Sequence, residues 1–273
     1  MDACHVCSSR AFERVFPEGA GELVLHRCGA CGFIYLADWK QSLADAGSLY
    51  DYYAKLDDED IERRHSEENR ARQQALLRNL GRLTQGRRLL DVGCGDGQLL
   101  ETARDEGWTA TGIDLCEPAI ALCHRRGLPA STTDFFDDAL DASRFDVIVM
   151  SELIEHVPAP QRFLERADAL LAPGGVLYLT TPNFGSLSRR LLGEDWPPIH
   201  REHIGYFDRS SLRAMLRRDT TLQEIRIDAN NVSPSALVRW LRGPGRPAPG
   251  VEPDATPDEA GPSTDQRLRR FLH

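Results

Sequence analysis

The stretch that decides the fold is Leu90-Asp91-Val92-Gly93-Cys94-Gly95-Asp96-Gly97. A short apolar run from Leu89 to Val92 enters closely spaced glycines, and a helical pattern follows through about Glu106. Glycine lets the backbone bend sharply and lets a ligand approach main-chain atoms closely. The next strand, Thr109 to Ile113, ends at Asp114, 23 residues after Asp91. A carboxylate at that place can accept hydrogen bonds from both hydroxyls of a ribose. The dinucleotide fingerprint G-x-G-x-x-G fails, because its third glycine would fall on Gln98. What stands instead is D-x-G-x-G-x-G.

Downstream, strand and helix patterns alternate. Phe145-Asp-Val-Ile-Val-Met150 reads as a buried strand. A helix from Gln161 to Leu171 stops at Pro173-Gly174-Gly175, and Val176 to Thr181 is another strand. Ser210 to Arg218 is helical, with Asp208 as N-cap, and Leu222 to Ile227 alternates like a strand. This grammar predicts an α/β, doubly wound domain: a parallel sheet covered on both faces. Upstream, Ala71, Ala75, Leu76, Leu80 and Leu83 recur at helical spacing between about Ile61 and Leu83.

The first 36 residues read as a small unit of their own. Cys4-x2-Cys7 and Cys28-x2-Cys31 flank an apolar stretch from Glu22 to Arg27, and Phe33 to Leu36 follows. Two short strands bearing such knuckles are the layout of a zinc ribbon, with a structural Zn2+ on Cys4, Cys7, Cys28 and Cys31. Four thiolates leave no open coordination position. His5 and His26 are adjacent alternatives that the metal does not need. The other cysteines, Cys94, Cys116 and Cys123, are expected to pack as small apolar groups. The predicted organisation is a ribbon module over 1–36, a connector and amphipathic helix over 37–85, a catalytic domain over 86–242 and a tail over 243–273. The tail holds six Pro and four Gly between 243 and 262, the composition of a flexible linker, and Thr264 to Leu272 reads as one last short helix. No convincing final strand precedes His273, so the sheet edge is expected to be finished by residues 231–241, by a partner, or to be truncated.

Lys and Arg number 33 against 42 Asp and Glu, a net charge of −9. That argues against a large phosphate-binding surface. No run of about 18 apolar residues exists, so no spanning helix is expected. The N-terminus has neither a basic nor an apolar leader segment, which points to a cytoplasmic protein with reduced thiols.

The glycine stretch resembles motif I of the class I S-adenosylmethionine (SAM) methyltransferases, a Rossmann-like family. Later stations resemble it in order. Asp114 matches the acidic ribose ligand, and Asp134-Phe135 the pair beside the adenine. Phe145 to Ser151 matches the fourth strand, and Leu171 to Leu177 the turn before the fifth. The resemblance covers about residues 86–230. It implies SAM contacts from Asp91, Gly93, Gly95, Gly97, Asp114, Leu115, Asp134, Phe135 and Ser151.

Ser151-Glu-Leu-Ile-Glu-His-Val157 resembles the E-x-x-E-H segment of ubiquinone-biosynthesis O-methyltransferases. That resemblance implies one of three roles: a divalent metal on Glu152, Glu155 and His156, a base at His156, or a hydrogen-bonded structural His156. Trp196 to Phe207 resembles the H-x-x-x-F segment of small-molecule methyltransferases, with His203 and Phe207 at matching positions. His200 and His203 are candidates to serve the acceptor, and His203 could instead cap or pack the following helix. Tyr50, Tyr52 and Tyr53 could close over the SAM site as a lid or pack the ribbon against the domain. The combination resembles bacterial tailoring methyltransferases. It implies methyl transfer to a small-molecule acceptor at an oxygen, since the extra C-terminal domain of the sugar C-methyltransferases has no counterpart here. Two rivals are an RNA methyltransferase gripping nucleic acid with the ribbon, and a non-catalytic SAM-binding module. Oligomeric state is not legible.

Overall fold

The computed structural model describes residues 2–19, 22–44, 48–56, 58–141, 144–228 and 267–272. For 48–51, 58 and 267–272 only the backbone is described. The Pro-rich stretch and residues 231–241 lie outside these.

Three short strands come first: β1 (Phe12–Arg14), β2 (Leu25–Cys28) and β3 (Ile34–Leu36). Helices α1 (Trp39–Ala44), α2 (Ser48–Lys55), α3 (Asp58–Arg64) and α4 (Glu67–Gly81) lead to the main sheet. There the chain alternates: β4 (Arg88–Val92), α5 (Gln98–Asp105), β5 (Thr109–Ile113), α6 (Glu117–Arg125), β6 (Ala130–Ser131), β7 (Phe145–Ser151), α7 (Pro160–Leu170) and β8 (Leu171–Thr180). Then follow α8 (Leu187–Leu192), β9 (Gly205–Tyr206), α9 (Arg209–Asp219), β10 (Gln223–Asp228) and β11 (Arg267–Leu272). Asp208 caps α9 as expected, in a reciprocal capping box with Ser211.

The seven-stranded sheet has the order β10-β11-β8-β7-β4-β5-β6. Strands β6, β5, β4, β7 and β8 are mutually parallel. Period-two alternation sorts their side chains into two cores. Val147, Val149, Val176 and Tyr178 join Leu77, Leu100 and Ile120 of the α4–α6 layer. Ile148, Met150, Leu177 and Leu179 join Leu164, Leu170 and Leu216 of the α7 and α9 layer. Burial on both faces explains why these strands read as continuous apolar runs. The chain leaves β4 toward β5 on one side and returns to β7 on the other. A doubly wound sheet opens its ligand crevice at such a switch, at the carboxyl ends of the strands.

Two expectations are corrected. Residues 267–272 form a strand, not a short helix, and that strand completes the sheet. It lies antiparallel between β8 and β10. The helical look of Arg267 to Leu272 has a structural cause. A bulge between Arg269 and Phe271 brings positions 268 and 271 into register with Leu179 and Leu177, which are two apart on β8. A three-residue spacing on the bulged strand therefore matches a two-residue spacing on its partner.

The four-stranded sheet has the order β1-β2-β3-β9, so its last strand comes from the segment between β8 and α9. No helix among the described residues is long and apolar enough to cross a membrane.

Candidate active site

The glycine turn leaves β4 with Gly93, Gly95 and Gly97 all at positive φ (77°, 52° and 82°). Gly93 and Cys94 donate to the Ile113 carbonyl at 2.8 and 3.1 Å, which ties the turn to the end of β5. The Asp114 carboxylate accepts from Gly95 N and Cys116 N, both at 2.9 Å. Burial raises its pKa, and those two amides counter part of the rise. Asp91 is almost fully enclosed, and burial together with Asp114 lifts its pKa to about 7. Leu115 is 71% exposed beside Asp114, an apolar surface free to meet a flat ring.

A Cβ on Gly95 would collide with the Tyr53 hydroxyl. Tyr53 therefore stands against the glycine turn, with Tyr52 edge-on to it at 5.2 Å; the Tyr50 side chain lies outside the described residues. Arg64 anchors them, donating to the Tyr52 hydroxyl at 2.6 Å and to Asp96 at 2.7 Å. Burial works to raise the Asp96 pKa, but His65 and Arg64 hold it down to about 2. Neither Arg64 nor His65 was singled out in the sequence. Their signal would have been two basic residues just ahead of an amphipathic helix.

Asp134 caps the turn after β6, accepting from Phe136 N at 2.8 Å. Phe135 is buried and stacked on Phe163 at 5.7 Å. Ser151 ends β7 opposite Thr180 and is exposed at the sheet edge.

The 151–157 segment lies next to the glycine turn: a Cβ on Gly93 would meet Leu153 at 3.2 Å. Glu152 has a φ of 50°, a strained conformation for a non-glycine residue. Glu155 is 1% exposed, and burial plus the neighbouring Glu152 push its pKa well above the carboxylate range. The 196–207 loop folds onto this segment. The ring of His203 lies 4.6 Å from that of His156 and 3.8 Å from that of His200. Nδ1 of His156 meets the Glu202 carbonyl at 3.0 Å, and Nδ1 of His203 meets the Pro198 carbonyl at 2.8 Å. A carbonyl only accepts, so both rings carry their proton on Nδ1 and present Nε2 as a lone pair. Burial lowers the pKa of all three histidines, His200 to about 4. His203 thus bonds back within its own loop and does not cap α9.

One ligand-type atom each from Glu155, His156 and His203 lies within 4.8 Å of the others, an arrangement that could hold a divalent cation. The third group there is His203 rather than Glu152. Four cysteines form the other such cluster among the described residues. Sγ of Cys4 is 3.7 Å from that of Cys31, and Sγ of Cys7 is 3.5 Å from that of Cys28. Tetrahedral zinc with bonds of about 2.3 Å sets sulfurs about 3.8 Å apart, so the four thiols fit that ion. The ring of His5 points away from them, toward the Ile204 carbonyl at 3.2 Å.

The family model of the methyltransferase domain matches residues 63–219, more than half of the sequence. The chain belongs to this methyltransferase-domain family. A ubiquinone biosynthesis O-methyltransferase of Coxiella burnetii is 38% identical over 104 residues, covering 36% of this chain and 44% of the relative. The Haemophilus ducreyi protein of the same name is 34% identical over 109 residues, covering 36% and 46%. This methyltransferase-family chain thus spans less than half the length of these curated relatives. Among solved structures, the plantazolicin methyltransferase BpumL, bound to a triazolic desmethyl analogue and SAH, superposes with a TM-score of 0.56 at 18% identity, covering 86% of this chain and 98% of that one. A Haloferax volcanii complex of the Trm112 activator and a putative methyltransferase gives 0.56 at 18%, covering 82% and 97%. These likenesses establish the Rossmann-like SAM-methyltransferase fold.

Proposed function

We propose that this chain transfers the methyl group of SAM to an oxygen of a small-molecule acceptor. The observation that carries the reading is the approach of the glycine turn to the 151–157 segment, Gly93 against Leu153, with the rings of His156, His203 and His200 packed in series on that segment. SAM supplies a methyl group already activated on a sulfonium, so the protein mainly has to align it with the nucleophile. In this reading Gly93, Gly95 and Gly97 let the cofactor approach the backbone. Asp114 takes the ribose hydroxyls, Leu115 lies under the adenine, and Asp91, Asp134, Phe135 and Ser151 shape the surrounding walls. Tyr52 and Tyr53 cover the turn.

An acceptor hydroxyl must lose its proton as the oxygen attacks. We assign that role to His200, the least deeply buried of the three histidines, with His156 and His203 presenting Nε2 lone pairs alongside. The O-methyltransferase names of the curated relatives support an oxygen acceptor, and the net charge of −9 supports a metabolite over RNA. The convergence of Glu155, His156 and His203 favours a second reading, in which a divalent cation there orients the acceptor oxygen. The four-cysteine module is read as a structural zinc site.

The test uses SAM carrying a labelled methyl group, incubated with the protein and separate small-molecule, RNA and protein fractions. Label in the small-molecule fraction is expected. Label confined to RNA, or no binding of SAM in calorimetry, would overturn the reading. Repeating the assay with chelator and with added Mg2+ or Mn2+ separates the two variants.

A further inference from the structure

The sequence presents the cysteine module and the histidine loop as unrelated segments, with His5 and Ile204 199 residues apart. The structure joins them through one peptide unit. Strand β9 pairs antiparallel with β3, setting Ile34 opposite Tyr206 and Tyr35 opposite Gly205. The Ile204 carbonyl accepts from Leu36 N at 3.0 Å and from His5 Nε2 at 3.2 Å. On the other side, Ile204 N and Gly205 N donate to the Glu155 carbonyl at 2.9 and 3.0 Å. The link between loop and module is therefore grasped by both flanking segments. Ser42 adds a hydrogen bond to the Arg201 carbonyl.

His5 sits inside the first knuckle, between Cys4 and Cys7. Its ring is held edge-on against Phe33 at 5.1 Å and tilted against Trp39 at 5.2 Å. A Cβ on Gly205 would meet Phe33 at 2.9 Å and His5 at 3.4 Å, so the loop backbone lies directly on these rings. A unit as small as residues 1–36 depends on its crosslinks for shape. What holds the four thiols together also holds the His5 ring and, through it, Ile204.

We propose that the cysteine module acts as a clamp on the histidine loop, and that His5 is the positioning residue that carries the geometry of the first knuckle to Ile204, one residue from His203. The consequence for methyl transfer rests on the acceptor-side reading given above; the clamp itself does not.

The test compares full-length, zinc-loaded wild type with His5→Ala, His5→Phe and His5→Gln, and with wild type stripped by a thiol-directed mercurial and chelator. His5→Phe keeps the ring packing and removes the donor, which guards against a variant that fails through lost packing. His5→Gln restores a donor. Readouts are amide exchange over 200–206 and over 88–97, and SAH affinity by calorimetry. Loss of the donor should speed exchange over 200–206 about tenfold, with His5→Gln close to wild type. Stripping should speed it further. Exchange over 88–97 and SAH affinity should stay within about twofold, because those groups are bonded to β5 and not to the module. Unchanged exchange over 200–206 in both His5→Phe and the stripped protein would overturn the clamp. So would loosening of 88–97 in parallel with 200–206. A failed methyl-transfer assay would leave these exchange results standing, so the two proposals fall separately.

Discussion

The hydroxyl of Tyr53 occupies the space that a Cβ on Gly95 would need. The glycine at 95 is thus required twice, by its φ of 52° and by the aromatic ring above it. Replacing Gly95 by Ala should cost about 1–2 kcal/mol in backbone strain and displace Tyr53. Calorimetry should show SAH binding weakened at least about tenfold. Adding Tyr53→Phe, which removes the clashing oxygen, should recover part of that loss in the double variant.

Asp114 uses both carboxylate oxygens on backbone amides of the turn, Gly95 and Cys116. Asp114→Asn keeps one acceptor and turns the other into a donor facing an N–H. A loss of about 1–3 kcal/mol in SAH affinity is expected, with far-ultraviolet circular dichroism unchanged. An unaltered affinity would remove Asp114 from the cofactor site.

Asp96 is held down to about pKa 2, against an ordinary value of 3.8, by His65 and Arg64 acting against burial. A depressed carboxylate stabilises the fold above its unfolded pKa, and that contribution fades as pH falls toward the folded value. Wild type should therefore exceed Asp96→Asn by about 2 kcal/mol at neutral pH. The gap should narrow between about pH 4 and pH 2. Urea midpoints of the two proteins across that range check it.

His200 is the group proposed to take the acceptor proton. His200→Ala should lower label transfer by about a hundredfold or more while leaving SAH affinity intact. A parallel fall in both quantities would assign His200 to the fold instead.

Strand β11 lies between β8 and β10. Ending the chain at residue 266 should leave two unpaired edges facing each other across a gap. Loss of the cooperative thermal transition and a shift into aggregate on size exclusion are expected. A monomer that melts normally would show that residues 267–272 are dispensable.

Much of this molecule was written locally. The glycine turn, the carboxylate at the end of the following strand and the alternating apolar runs depend on neighbours a few residues away. Most appear in the structure where the sequence placed them, from Arg88 to Leu222; the exception is β8, which begins at Leu171 and takes in the expected turn at Pro173-Gly174-Gly175. The paired cysteines were legible for the same reason, since each knuckle is a short-range turn.

Three things were decided only by tertiary structure. Strand β11 pairs with segments far off in sequence, and its bulge broke the period that would have revealed it. The orientation of Tyr52 and Tyr53 depends on Arg64 and Asp96, which meet only after α3 docks on the turn. The union of the cysteine module with the histidine loop rests on backbone hydrogen bonds between β3 and β9. Backbone groups are the same in every residue, so no side-chain pattern records which strand will take them; the packing of the whole chain makes that choice.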